Sequence, residues 1–262
     1  MKKNALKAHM AAGHTAVNGW IAVPDSFQAE IFAAQGWDSV TIDMQHGACN
    51  MSHVVSLLQA ISLSSATPMV RVPWNEPSHI MRVLDAGAYG IICPMINTKA
   101  EAEAFVSAGR YPPLGARSNG PFRAAHYAGK DYQPNANAEI QLFAMIETRE
   151  AMTNLDAILS VKGLDGVYVG PTDLALSLGR PATLDPTDKD VLVAMAEIAR
   201  KTKAKGLIAG AHTNSPATAL KRYPEGYHFC TIFNDVNLLA QAAASAVRET
   251  RGQSKAAVSS SY

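Results

Sequence analysis

The sequence predicts a (β/α)8 TIM barrel in a single domain, and three observations carry that prediction. Short β-branched or apolar runs recur along the chain, each followed by a segment with helical hydrophobic spacing. The turns between them are short and marked by Gly or Pro. No G-x-G-x-x-G follows the first strand, which sets aside the open doubly wound sheet. A length of 262 residues suits one such barrel without division.

Taken in order, Val17–Val23 (VNGWIAV) is the first strand, stopped by Pro24, with Asp25 or Ser26 capping a helix through Phe27, Ile31 and Phe32. Trp37–Asp43 (WDSVTID) is the second, followed by a helix from Ser52 that carries Val54, Val55, Leu57, Leu58 and Ile61. Thr67–Val72 (TPMVRV) is the third, and Pro77 and Ser78 open its helix. Tyr89–Pro94 (YGIICP) is the fourth, with Lys99–Ala108 as its helix. The stretch Leu142–Gly179 supplies the fifth and sixth units. Leu207–Ala211 (LIAGA), preceded by the helix Val191–Thr202, and His228–Phe233 (HFCTIF), followed by Val236–Arg248, complete the eight. Tyr111–Ala138 falls outside this rhythm; rich in Gly, Pro, Asn and Arg, it reads as a long excursion that covers the mouth or reaches a neighbouring subunit, or as a plain surface loop. The barrel domain is expected over residues 1–251, with 252–262 as a frayed polar tail.

Composition removes several classes of function. The 23 basic and 22 acidic residues nearly cancel, and no basic run is interleaved with aromatics, so no nucleic-acid partner is expected. Cys49, Cys93 and Cys230 lack C-x-x-C spacing and are expected as reduced thiols in a cytoplasmic protein. Asn4, Lys7 and His9 interrupt any signal-peptide core, and no apolar run is long enough to span a bilayer.

In this fold the carboxyl ends of the strands build the active site. Glu147 closes the fifth strand, and Asp173 lies just beyond the sixth, after Gly170-Pro171-Thr172. Either alone reads as a helix cap; together, after neighbouring strands, they read as ligands for a hard divalent cation. Strand two exits into Asp43, Gln45 and His46. There His46 is a candidate general base, or simply a loop histidine. Arg71 ends strand three and is placed to hold a carboxylate or steady an oxyanion, or to form a salt bridge within the mouth. Asp85, after Leu84 of the third helix, is not nominated by geometry. No lysine ends a strand, so a Schiff-base route lacks its residue.

The set VTIDMQHG, PMVRVP, VLDAGAYGIICPMI, YPPLGARSNGP, MIETREAM and GVYVGPTDLALSLG resembles the HpcH/HpaI aldolase family, metal-dependent pyruvate aldolases of the phosphoenolpyruvate/pyruvate superfamily of barrels. The resemblance runs from about Asn18 to Ala246. It implies Glu147 and Asp173 as ligands to Mg²⁺, Mn²⁺ or Co²⁺, and His46 as the base assisted by Asp85. Arg71 would stand near the pyruvate oxygens. Gly170, Pro171, Thr172 and Asp173 would form the turn whose amides hold the pyruvate carboxylate, with Gln45 bordering the substrate.

The implied reaction is reversible cleavage of a 4-hydroxy-2-oxoacid to pyruvate and an aldehyde, through an enolate stabilised by the metal and Arg71. Decarboxylation of oxaloacetate would use the same enolate, and a non-catalytic keto-acid-binding barrel is the alternative of another class. The resemblance also implies a homohexamer built as a trimer of dimers. Two positions depart from the family pattern: Gln45 where many members have Glu, and Met145 where many have Gln. Both bear on the choice of acceptor aldehyde.

Overall fold

The computed structural model describes residues 1–253, so the expected tail lies outside the described residues from position 254 onward. Eight strands form a closed barrel in sequence order. They are β1 (Ala16–Ile21), β2 (Ser39–Asp43), β3 (Thr67–Arg71), β4 (Gly90–Cys93), β5 (Gln141–Ile146), β6 (Gly166–Val169), β7 (Ile208–His212) and β8 (Phe229–Asn234). Every neighbouring pair is parallel, including the closing pair of β1 and β8. All carboxyl ends therefore open at one mouth. The strand ends expected from the sequence differ from these mainly by one or two residues, where β-branched runs continue into exit turns.

The helices form because their caps and apolar faces agree. Asn50 caps the helix Met51–Ile61, with His53 completing a reciprocal box, and Val54, Leu57, Leu58 and Ile61 turn onto the barrel wall. Full burial of each such side chain contributes about 1.5–3 kcal/mol. The helix Pro77–Asp85 starts on Pro77, where a missing N–H costs nothing, and buries Ile80, Val83 and Leu84. It runs from the mouth to the opposite, amino-terminal face of the barrel.

Two segments differ from expectation. The polar start contains a helix, Ala5–Ala11, whose Leu6 and Met10 join Trp20, Met69, Ile92 and Phe143 inside the barrel and close its amino-terminal end. The Leu6 N–H donates to the Thr67 hydroxyl at the start of β3 (3.0 Å), which fixes the plug at that end.

The stretch 111–138 does not cover the mouth of its own barrel. It contains most of two helices, Phe122–Ala128 and Tyr132–Glu139, and leads into the amino-terminal end of β5. Its anchor is Arg117, whose buried guanidinium donates to Asp85 (2.7 Å) and to the Tyr132 hydroxyl (3.1 and 3.2 Å) and lies 4.4 Å from the centre of the Tyr111 ring. Sparse apolar residues hid these helices, because polar and aromatic contacts hold much of this segment.

Removing Arg117 strands the Asp85 carboxylate and the Tyr132 hydroxyl beside an empty space. Arg117→Ala is expected to lower stability by about 3 kcal/mol, the low end for breaking a buried pair because Asp85 keeps some exposure. Urea unfolding followed by circular dichroism checks this; a midpoint unchanged from wild type would show that the cluster contributes little.

Candidate active site

Side chains alternate along a strand, so residues two apart share a face. Met69, Met145, Tyr168 and Trp20 point into the barrel. Continuing that phase toward the mouth brings Arg71 after Met69, Glu147 after Met145 and Gly170 after Tyr168. The same alternation carries Thr41 to Asp43 and Gly210 to His212. One periodicity thus gathers residues from five strands around a single opening.

On one side stands Glu147, 2% exposed. Its Oε1 accepts the Met95 N–H (2.8 Å), and Met95 is the one non-glycine residue with positive φ (55°) among the described residues. The strained backbone at the β4 exit therefore aims an amide at this carboxylate. Oε2 lies against Gly170, where an added Cβ would come within 2.4 Å of it and 3.0 Å of the Met145 methyl.

Burial, helped by the nearby Asp173 charge and opposed by the Met95 N–H and the Arg71 charge, leaves the Glu147 carboxyl pushed up to about 7. That displacement corresponds to roughly 3 kcal/mol held against ionisation. A cation between the two carboxylates would relieve it.

Neither carboxylate acts as a cap. Thr148, not Glu147, caps the helix Arg149–Thr153. Asp173 sits exposed in the first turn of the helix Pro171–Ser177, which starts at Gly170 without a side-chain cap. Among the described residues no group of three or more His, Cys, Asp or Glu is placed to hold a metal. Two carboxylates with positions left for water and substrate suit a hard divalent ion and not a structural zinc. The donors present fit the expected cation.

Arg71 stands on the other side, buried and held in a two-point grip by Asp43: Nε to Oδ1 at 2.8 Å and Nη2 to Oδ2 at 2.6 Å. Burial pushes the Asp43 carboxyl up, but the Arg71 charge and hydrogen bonds, with the Gln45 N–H, outweigh it and leave it below its ordinary value. Arg71 also lies 4.9 Å from the centre of the Trp20 ring. Asp43 further accepts the amides of Gln45 (3.0 Å) and His46 (3.3 Å), so one carboxylate fixes the arginine and the histidine loop together. The His46 side chain is exposed, and the Gln45 Oε1 is a buried acceptor with no partner among the described residues.

Asp85 is not brought to His46. It ends the helix Pro77–Asp85, about 12 Å along from the mouth, and is engaged by Arg117. Within one chain the His46 side chain has no carboxylate partner among the described residues. Sequence reading placed Asp43 at the exit of strand two without a role and passed over Met95, Trp20 and His212. Strict two-residue alternation would have found Asp43 and His212; nothing local marks Met95.

A parallel barrel with paired carboxylates facing a held arginine, and a histidine at the rim, defines an enzyme equipped to stabilise an enolate and to act as a carbon–carbon lyase. The chain belongs to the HpcH/HpaI aldolase/citrate lyase family, whose sequence model matches residues 19–242. It is 42% identical over 248 residues to a hydroxypyruvate/pyruvate aldolase of Rhizorhabdus wittichii, covering 95% of this chain and 99% of that one. It is 38% identical to a 4-hydroxy-2-oxo-heptane-1,7-dioate aldolase of Salmonella dublin, covering 92% of each. A crystal structure of an HpcH/HpaI aldolase/citrate lyase family protein from Burkholderia cenocepacia superposes with a TM-score of 0.89 at 32% identity, over 95% of this chain and all of that one.

Gly170→Ala tests the carboxylate geometry. Its methyl must displace Glu147 Oε2, so divalent-metal affinity is expected to fall at least about tenfold, in line with losses on disturbing a metal's supporting contacts. Calorimetric titration with Mn²⁺ measures this, alongside a thermal melt to confirm folding. Unchanged affinity in a folded variant would remove Glu147 from the metal site.

Proposed function

We propose that this chain is a class II pyruvate aldolase. It reversibly splits a 4-hydroxy-2-oxoacid into pyruvate and an aldehyde, with Glu147 and Asp173 as ligands to Mg²⁺, Mn²⁺ or Co²⁺. The observation that carries the reading is the buried Glu147 carboxylate beside Asp173, with Arg71 held opposite by Asp43. The family membership and the aldolase names of relatives matched over nearly their whole length support it.

A bound divalent cation would polarise the keto carbonyl of pyruvate and so acidify its C3 protons. The chain's own residues do the rest. Arg71 Nη1, free of any hydrogen bond among the described residues, faces the developing enolate oxygen with a charge already oriented by Asp43. The amides of Thr172 and Asp173, left unsatisfied at the uncapped start of their helix, receive the pyruvate carboxylate. Gly170 and Pro171 shape that turn, and Gln45 borders the substrate with its unpaired acceptor.

His46, exposed at the rim, takes the proton in the enolate-forming direction and returns it in the other. Because Asp85 lies at the far end of its helix, any help it gives to a His46 has to cross a subunit boundary. A homohexamer assembled as a trimer of dimers is the expected form. The closing helix Asp235–Thr250 supports self-association, since Val236, Leu239 and Val247 on it are exposed. A cytoplasmic location is consistent with three buried, unpaired cysteines and with the absence, among the described residues, of any helix long and apolar enough to cross a membrane.

Exchange of the pyruvate methyl protons in D₂O reads the enolate step without an acceptor. Chelator-stripped protein is expected to lose exchange by more than about a hundredfold and to regain it with Mg²⁺, Mn²⁺ or Co²⁺. Glu147→Ala is expected to lose both bound metal and exchange. Exchange that survives chelation, or a Glu147→Ala protein that keeps its metal and activity, would overturn the assignment.

A further inference from the structure

One polar side chain at the mouth has no part in the mechanism above. His212 ends β7, and its ring meets Trp20 edge-on, with centroids 4.8 Å apart and planes at 88°. Its Nδ1 is 3.2 Å from the Tyr168 hydroxyl, which is 2.5 Å from the Thr231 hydroxyl. Thr231 in turn accepts from Asn18 Nδ2 (2.8 Å), while Asn18 Oδ1 accepts from the hydroxyls of Ser39 (2.7 Å) and Thr41 (3.1 Å).

This chain of bonds has only one direction that satisfies every proton. Thr231 is fully buried, and among the described residues its hydroxyl has no acceptor other than Tyr168, since Asn18 Nδ2 donates to it. Its hydroxyl must therefore donate to the Tyr168 oxygen, which leaves the Tyr168 proton for His212 Nδ1. The reverse order would leave the Thr231 proton unpaired inside the barrel.

His212 is thus held as the tautomer with hydrogen on Nε2. Burial, followed by the Arg71 charge, holds its pKa below the ordinary histidine value and favours the neutral ring. Nδ1 faces the Tyr168 hydroxyl, and Nε2, on the far side of the ring, points away from that hydroxyl. His212 is only partly buried, and its Nε2 has no partner among the described residues.

We propose that His212 is a specificity residue whose Nε2–H donates a hydrogen bond to a hydroxyl group of the substrate. The inference rests on the aldolase reading, in which the oxygens of pyruvate already have partners in the cation, the Thr172 and Asp173 amides and Arg71. What remains for a neutral donor on this wall is a hydroxyl that pyruvate lacks. It comes either from C3 of a hydroxylated keto acid or from the carbon next to the carbonyl of a hydroxyaldehyde acceptor. A charged group would have attracted the carboxylate; a neutral N–H beside an arginine selects hydroxyl without competing for the anion.

The test compares kcat/KM of Mg²⁺-loaded wild type, His212→Phe, His212→Gln and Tyr168→Phe on four donor–acceptor pairs: pyruvate or hydroxypyruvate with propanal or glycolaldehyde. His212→Phe is expected to lose about tenfold or more on one hydroxylated partner and less than about twofold on pyruvate with propanal. The arm that loses identifies which hydroxyl is bound. His212→Gln, which places an amide N–H near the lost Nε2, is expected to restore most of that selectivity. Tyr168→Phe is expected to show a smaller loss in the same arm, and imidazole ¹⁵N shifts of wild type should report hydrogen on Nε2.

Equal losses in every arm, no loss in any, or hydrogen on Nδ1 would overturn the proposal. Should His212→Phe fail to fold, Tyr168→Phe and the ¹⁵N shifts decide. Wild type that fails to exchange pyruvate methyl protons would instead sink the aldolase reading itself.

Discussion

The structure depends most on a carboxylate that the chain buries but does not neutralise. Glu147 receives one amide, from Met95, and otherwise faces Gly170 and Asp173. A buried carboxylate of this kind ionises reluctantly unless a positive charge comes close. Among the described residues no lysine or arginine pairs with it; Arg71 is near enough to be felt, yet its hydrogen bonds go to Asp43. Several local irregularities surround that carboxylate: a left-handed Met95 that gives it one amide, a glycine at 170 that leaves room for Oε2, and a short helix whose first turn carries Asp173 with no side-chain cap.

The opposite side of the mouth is built on the contrary principle. Arg71 and Asp43 satisfy each other through two hydrogen bonds, and Trp20 covers the guanidinium. The positive charge is therefore fixed in direction before any substrate arrives, which avoids reorganisation when an enolate oxygen develops negative charge. Between these two sides the mouth holds a neutral imidazole, His212, set by a hydrogen-bond chain that runs down through Tyr168 and Thr231 to Asn18 on the inner wall. Attraction for anions and recognition of hydroxyl are thus assigned to different walls of one opening.

Much of this was legible in the sequence because it is local or periodic. β-branched runs ending in Gly or Pro marked the strands, and the barrel rule then placed Glu147, Asp173, His46 and Arg71 at one end. What was not legible depends on partners distant in sequence. The helices within 111–138 are tied down by Arg117 meeting Asp85 across 32 positions, a contact no apolar pattern announces. That contact also explains why Asp85, suggested by resemblance as a partner for His46, points elsewhere within its own chain. The plug at Ala5–Ala11 needs only Leu6 and Met10 to be apolar, too few for a helical stripe to stand out. Met95 adopts positive φ for a bond to a residue 52 positions on, and methionine carries no signal for it. Met145, a departure from the family pattern, packs inside the barrel next to the Gly170 backbone.

The central claim is that Glu147 and Asp173 share one divalent cation. Its most direct test is a crystal structure of the protein with Mn²⁺ and pyruvate, using the anomalous signal to locate the ion. A single ion bonded to both carboxylates at about 2.0–2.3 Å, with pyruvate oxygens completing its shell, is the expected result. An ion bound elsewhere, or pyruvate seated at the mouth with Glu147 bonded only to Met95, would contradict it.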